Sequence, residues 1–422
     1  MDLNDMVLFS VDDHVIEPPD LFEGREPAKY AGRFPKLTEG DDGIARWIWE
    51  GDAGGNASLN AVVTWPKSQW NLDPATLAEM RPGCYDIAER VDDMNVNGVA
   101  VSMCFPTFAR FGGGFFSECD DKDLALAVVQ AYNDWHIESW CGAFPGRFLP
   151  LAIPVAWDPE LSAKEVRRVA KMGAKSVCFT ENPTKFYQLP SIYSGHWDPF
   201  FEACVDEGLV ISIHIGSSGI LPTTSPDAPI DIPVTLATML GMEQVMDYLY
   251  SDTFVKFPDL KIAMSEAGAG WIPYVLDRLD RHAVNQRWTG QRFSEDLLPS
   301  QVFREHFLCC MVSDAAGLAL RDRIGIDILA VETDYPHSDS QWPHAPEVFM
   351  RDFEEAGVTD EEIELLTWKN AARFYDFDPF AVQPREELTV GALRAQATHI
   401  DTSTTTKEEY RARYAARAAA SA

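Results

Sequence analysis

The stretch SVDDHVIEPP, residues 10–19, decides how this chain is read. An apolar run (Met6 to Phe9) leads into it, and Pro18 and Pro19 end regular structure soon after. A buried strand that finishes on Asp12, Asp13, His14 and then Glu17 has the pattern of a parallel strand whose carboxyl end opens onto a chemical site. Side chains alternate along a strand, so Asp12 and His14 project to one side and Asp13 to the other. Asp12 and His14 make one arm for a cation, and Asp13 is left for a structural contact.

Seven further apolar runs follow VLFSVD (7–12). They are GVAVSMCF (98–105), RFLPLAIP (147–154), AKSVCFT (174–180), LVISIH (209–214), LKIAMSE (260–266), HFLCCMV (306–312) and DILAVETD (327–334). Their apolar residues are continuous rather than alternating, as in strands covered on both faces. Amphipathic helical patterns lie between them at 122–143, 159–172, 197–208, 236–251, 270–285, 315–323, 345–356 and 359–374. Eight strands alternating with helices predict an α/β fold, a (β/α)8 TIM barrel spanning 1–383. Residues 18–84, rich in Gly, Pro and Trp, are expected as a long insertion after strand 1. Residues 384–422 are expected as a C-terminal extension, either a helix packing on a partner subunit or a partly disordered tail.

The 422 residues carry 66 Asp+Glu against 35 Lys+Arg, a formal charge of -31. That balance argues against nucleic acid or an anionic membrane as partner, because both require a basic footprint. No window approaches the roughly 18–20 apolar residues of a membrane span. The opening MDLNDMVLF lacks a basic segment followed by a long apolar one, so no secretory signal is read there. Eight scattered cysteines without CxxC spacing fit buried free thiols in a reducing cytoplasm.

Barrel enzymes carry their chemistry at the carboxyl ends of the strands. Those ends here are Asp12 and His14 (strand 1), Glu181 (strand 4), His214 (strand 5), Glu266 (strand 6) and Asp334 (strand 8). Singly, each has an ordinary alternative. His214 fits a satisfied core histidine, Glu17 a solvated loop residue, and TDYPH an Asx turn started by Asp334. Together at one rim they predict a metal site with Asp12, His14, His214 and Asp334 as ligands and room left for water and substrate. Imidazole and carboxylate donors suit a divalent Zn, Mn or Fe. One ion is expected, and Glu17, Glu181 and Glu266 offer carboxylates to support it or to hold a second.

Several weaker features surround this set. His337, three residues past Asp334, is placed to hydrogen-bond a substrate. Ser217 and Ser218 in HIGSSG (214–219) offer hydroxyls and backbone N–H groups to an anionic substrate. ARFGGGFF (109–116) has the flexibility of a lid, with Arg110 as the carboxylate clamp and aromatics to line a pocket. His136, inside a helical pattern, is read as structural.

VDDHVIEPPDL (11–21), DPFFEACVDEGLVISIHIGSSG (198–219), FPDLKIAMSEAGAGWIPYVLDRLD (257–280) and LAVETDYPHSDSQWP (329–343) resemble the amidohydrolase-related metal-dependent enzymes. The branch is the one with aminocarboxymuconate-semialdehyde decarboxylase and the resorcylate-type decarboxylases, and the resemblance covers most of 7–380. It implies a distorted TIM barrel, usually with one divalent metal. The family's strand 1 carries H-x-H or E-x-H, which Asp12-x-His14 matches with a shorter acid. Its strand 5 histidine corresponds to His214 and its strand 8 aspartate to Asp334.

The chain departs from the family at the end of strand 6, commonly a histidine, where SEAGAG has Glu266. Glu266 is then a supporting acid, a general base or a ligand for a second metal. In the wider superfamily a carboxylated lysine on strand 4 often bridges two metals. Here Lys175 lies at the start of that strand and Glu181 at its end.

The implied activity is a metal-dependent hydrolase of a C–N or C–C bond, or a decarboxylase (carboxy-lyase) of a small organic acid. Asp334 carries the proton, with Glu266 and His337 beside it. Two other readings are a dinuclear, iron-type oxygenase and a non-catalytic partner subunit of an active paralogue. The expected partners are a small-molecule substrate and a second copy in a homo-oligomer such as a dimer, or a paralogue in a hetero-oligomer.

Overall fold

Each apolar run folds as a strand buried along its whole length, and chain order sets the strand order. The computed structural model describes residues 1–70, 74–185, 188–289, 293 and 296–421. Its strands are β1 (Leu8–Val15), β2 (Lys36–Glu39), β3 (Ala45–Trp49), β4 (Asp52–Asn56), β5 (Val99–Pro106) and β6 (Leu151–Ala152). They continue with β7 (Ser176–Phe179), β8 (Val210–His214), β9 (Ile262–Ser265), β10 (Phe307–Met311) and β11 (Leu329–Val331). β1 pairs parallel with β5, and β6 to β11 form a parallel sheet in sequence order. β2, β3 and β4 form a separate antiparallel sheet inside the 18–84 segment.

Backbone hydrogen bonds cross from one parallel sheet to the other at both margins. On one side Ser102 N donates to Arg147 O and Leu149 N to Ser102 O, both at 3.0 Å. On the other, Asp334 N donates to Asp12 O at 2.9 Å and His14 N to Tyr335 O at 2.7 Å. The second margin is the one that brings the ends of β1 and β11 together.

The structure differs from the sequence expectation at identifiable places. The 147–154 run keeps only Leu151–Ala152 as strand, because Pro150 and Pro154 cannot donate to a ladder. The 327–334 run begins with a 3₁₀ turn, Ile326–Ile328, and ends its strand at Val331. The 315–323 helix splits into Ala315–Ala319 and Arg321–Ile324. The Lys122–Asp134 helix continues as a π-helical turn, Trp135–Cys141, that buries His136. Helices Ile87–Val96 and Pro299–His306 have no counterpart in the sequence reading. The first is dense in charge, and its start is fixed by the Asp86 carboxylate accepting from Ala88 N and Glu89 N.

Aromatic packing ties the 18–84 segment to the parallel strands. Trp47 of β3 stacks on Phe108, just past β5, at 4.4 Å between ring centroids. The C-terminal residues pack on this same chain as helices Val390–Gln396 and Lys407–Ser421. Val390 N donates to Met6 O at 2.8 Å, Thr405 N to Thr64 O at 3.0 Å, and Tyr410 is buried. All eight cysteines are buried and free. Among the described residues no helix is long and apolar enough to cross a membrane.

Asp13, on the far side of the pleat from Asp12, joins three strand ends. Its carboxylate accepts from Thr333 Oγ1 at 2.6 Å, from Tyr335 N at 3.0 Å and from the Ser102 hydroxyl. Asp13→Ala leaves these buried donors unsatisfied and is expected to cost about 3 kcal/mol. Urea denaturation of the variant beside wild type checks this.

Candidate functional site

Six side chains from four strand ends converge at the rim. The β1 pleat supplies Asp12 and His14, β8 ends on His214, Glu266 follows β9, and Asp334 and His337 follow β11. His14 Nε2 lies 3.3 Å from Asp334 Oδ1 and 3.6 Å from Asp12 Oδ1. His214 Nε2 lies 3.4 Å from Asp12 Oδ2 and 3.5 Å from Glu266 Oε2. Asp334 Oδ1 is 2.8 Å from His337 Nδ1, whose ring stacks on His14 at 3.8 Å between centroids. Glu266 (φ 55°) and Asp334 (φ 48°) both hold left-handed backbone that side-chain-bearing residues rarely adopt. Such strain persists where surrounding structure enforces it, characteristically at functional sites.

The four histidine–carboxylate spacings of 3.3–3.6 Å are longer than charge-assisted hydrogen bonds. Each is close to the roughly 3.0–3.5 Å that separates two ligand atoms bonded at about 2.0–2.2 Å to one ion. Both Asp12 oxygens, both His14 nitrogens and His214 Nε2 are buried without a hydrogen-bond partner. The His214 tautomer is fixed from outside: Nδ1 donates to Ile215 O at 2.6 Å, which turns the Nε2 lone pair into the cluster. These ligand atoms fall into two overlapping groups that share His14 and could each hold a metal ion: Asp12, His14 and His214, and His14, Glu266, Asp334 and His337.

Electrostatics points the same way. Burial pushes the Asp12 carboxyl well above its ordinary range, and Glu332, Glu266, Asp334 and Asp13 push it further. Glu332 is raised by burial and then by Glu266 and Asp334. Burial lowers His14, as do neighbouring His337 and His214. Burial also opposes charge on His337, but Asp334 and Glu266 outweigh it and raise that imidazole to about 10. Among the described residues no lysine or arginine forms an ion pair with Asp12, Glu266, Glu332 or Asp334. The negative charge gathered here calls for a positive charge from outside the chain.

The family model described as Amidohydrolase matches residues 45–377, more than half of the chain. The chain belongs to the amidohydrolase family. No curated protein matches it. Among solved structures, an amidohydrolase from Mycobacterium avium subsp. paratuberculosis K-10 is 21% identical with a TM-score of 0.68, covering 88% of this chain and 99% of its own. The 5-carboxyvanillate decarboxylase of Sphingomonas paucimobilis is 24% identical with a TM-score of 0.56, covering 72% and 88%. A dihydroxybenzoic acid decarboxylase of Polaromonas sp. JS666, with bound manganese and the inhibitor 2-nitroresorcinol, is 19% identical with a TM-score of 0.53, covering 74% and 90%. At these identities the likeness is one of fold, and the decarboxylase neighbours fall in the branch that the sequence motifs resemble.

Other expected site residues of this amidohydrolase lie elsewhere. Glu17 does not join the cluster: Oε1 accepts from Thr107 N at 2.9 Å and from the Tyr132 hydroxyl at 2.8 Å, and Oε2 accepts from Phe108 N at 3.0 Å. Glu181 is likewise spoken for, accepting from Ser218 N at 2.8 Å, Ser218 Oγ at 2.6 Å and the Ser217 hydroxyl. The same bonds engage the Ser217 and Ser218 hydroxyls, and both residues line the same cavity as Arg110. Arg110, with φ 57°, lines a cavity of about 570 Å³ beside the cluster together with Phe108, Phe111 and Lys185.

Glu332 escaped the sequence reading, whereas Phe111 belongs to the 109–116 aromatics expected to line a pocket. Glu332 is fully buried and accepts from Glu266 N at 3.1 Å. Its signal was there: an acidic residue directly after the apolar run, two residues before Asp334. Phe111 packs on His214 at 4.1 Å and on His14 at 5.1 Å between ring centroids.

Glu17 yields a pH prediction. Burial raises its carboxyl from 4.5 to about 7, against the pull of the two N–H groups and Tyr132. The folded state thus binds this proton more tightly than the unfolded chain. The associated stability is complete below about pH 4.5 and is lost as pH rises through about 7. Relative to Glu17→Gln, wild type is expected to lose about 3 kcal/mol across that window. Parallel denaturation curves of the two proteins from pH 4.5 to 7.5 measure it.

Proposed function

We propose that this amidohydrolase is a metal-dependent decarboxylase of a hydroxylated aromatic acid. The observation that carries the reading is the set of partnerless, buried ligand atoms on Asp12, His14 and His214, with Asp334 beside them. Support comes from neighbours named as decarboxylases of 5-carboxyvanillate and dihydroxybenzoic acid, the second with bound manganese. Mixed carboxylate and imidazole donors suit manganese among the candidate ions. The proposal includes closure of the two parallel sheets, across their hydrogen-bonded margins, into one distorted TIM barrel over 1–383 with the 18–84 insertion.

A divalent ion in this site supplies fixed positive charge that offsets the carboxylates and polarises the oxygen atoms of a bound acid. The chain's own groups manage the proton. As the bond between the ring carbon and the carboxyl group breaks, its electron pair stays on the ring carbon and CO₂ leaves. Asp334 delivers the proton that takes its place. His337 Nδ1, 2.8 Å from Asp334 Oδ1, returns a proton to that carboxylate. Glu266 keeps His337 charged from the other side, at 4.0 Å from Nδ1. Phe111, packed over His14 and His214, excludes water from the reacting carbon.

The test is CO₂ release by manganese-loaded protein on a panel of hydroxybenzoic acids, with amides and lactones as competing substrates. Release from an aromatic acid is expected. Asp334→Asn should abolish it, and His337→Asn should lower kcat by about a hundredfold with little change in KM. Hydrolysis of an amide or lactone without CO₂ release from any acid would overturn the assignment.

A further inference from the structure

The cavity beside the cluster is larger than a one-ring acid requires, and much of its wall comes from the 18–84 segment. Its volume is about 570 Å³, and that segment contributes Trp47, Gly54, Gly55, Asn56 and Leu59 to its lining. At the roughly 30 Å³ that liquid water occupies per molecule, the space holds about nineteen water-sized atoms. A hydroxybenzoic acid has ten non-hydrogen atoms and fills about half of it.

The lining pairs an aromatic wall with polar groups, among them Arg110, Lys185 and Asn56, that suit an aromatic body carrying polar substituents. Trp47 and Phe108 stack, Phe115 sits against Phe108 at 5.8 Å between centroids, and Phe111 links this wall to His14 and His214. Bare backbone of the neighbouring strand β4 adjoins that wall. A Cβ at Gly54 would crowd Trp47 O at 3.3 Å and the Phe115 ring at 3.4 Å, so glycine keeps that wall close and smooth. A Cβ at Gly55 would meet nothing within 4 Å, which leaves the cavity open on that side. Ser217 and Ser218 also line the cavity, their hydroxyls bonded to Glu181.

We infer that this cavity takes the body of an aromatic acid with two fused or linked rings, laid against the Trp47–Phe108–Phe115 wall beside the open Gly55 edge of β4. The inference rests on the decarboxylase reading for the orientation of the acid group. Cavity size and wall chemistry carry the remainder. Gly55 is then a specificity-determining position.

Calorimetric titration of manganese-loaded protein with 2-hydroxybenzoate and 3-hydroxy-2-naphthoate tests it. The extra ring buries four more carbons, so the naphthoate is expected to bind about tenfold tighter or better in wild type. Gly55→Trp should weaken the naphthoate about tenfold more than the benzoate, and Leu59→Trp should act in the same direction should the first variant fold poorly. Equal affinities in wild type, equal weakening of both acids, or no binding of either would overturn the inference. A size preference without CO₂ release would support the cavity reading while overturning the decarboxylase one.

Discussion

Four carboxylates, Asp12, Glu266, Glu332 and Asp334, are gathered about three imidazoles at the rim, and among the described residues no arginine or lysine forms an ion pair with them. Leaving an unpaired charge in a protein interior costs several kcal/mol after relaxation. The two protein-side remedies are protonation, seen in the upward shifts of Asp12 and Glu332, and the positive imidazolium of His337. Neither provides partners for the Asp12 oxygens, His14 or His214 Nε2. A bound cation does all of this at once, and the rest of the rim reads as the scaffold that holds its ligands apart at fixed distances.

That scaffold is built from backbone. The margin between β11 and β1 is bonded through Asp334 N to Asp12 O, so the two residues offering oxygen ligands are also the residues that join the sheets. Asp13 reinforces the joint from the opposite face through Ser102, Thr333 and Tyr335. Fold and site are thus coupled through one short stretch, 12–14, in which neighbouring side chains serve different purposes on opposite sides of the pleat. Beyond it, Glu17 grips the backbone after β5, and that loop carries Phe111 onto the histidines.

Much of this was legible in the sequence because it depends on period and position. Continuous apolar runs marked the parallel strands, and the polar residue ending each run marked the rim. What escaped depends on partners supplied by distant parts of the chain. Glu17 and Glu181 look like spare rim carboxylates until the N–H groups of 107–108 and the hydroxyls of 217–218 claim their oxygens. Glu332 escaped although it directly follows the apolar run, two residues before Asp334. The 18–84 segment has little periodicity, so neither its antiparallel sheet nor its share of the cavity wall could be read from pattern.

Metal binding by chelator-treated protein, followed through thermal stability and elemental analysis, tests the central claim most directly. A buried cation site predicts about one manganese ion per chain and a stability gain of about 4 kcal/mol at a thousandfold excess over Kd. It also predicts that Asp12→Ala combined with His14→Ala abolishes both. Identical metal content and stability in stripped, reloaded and doubly substituted protein would contradict it.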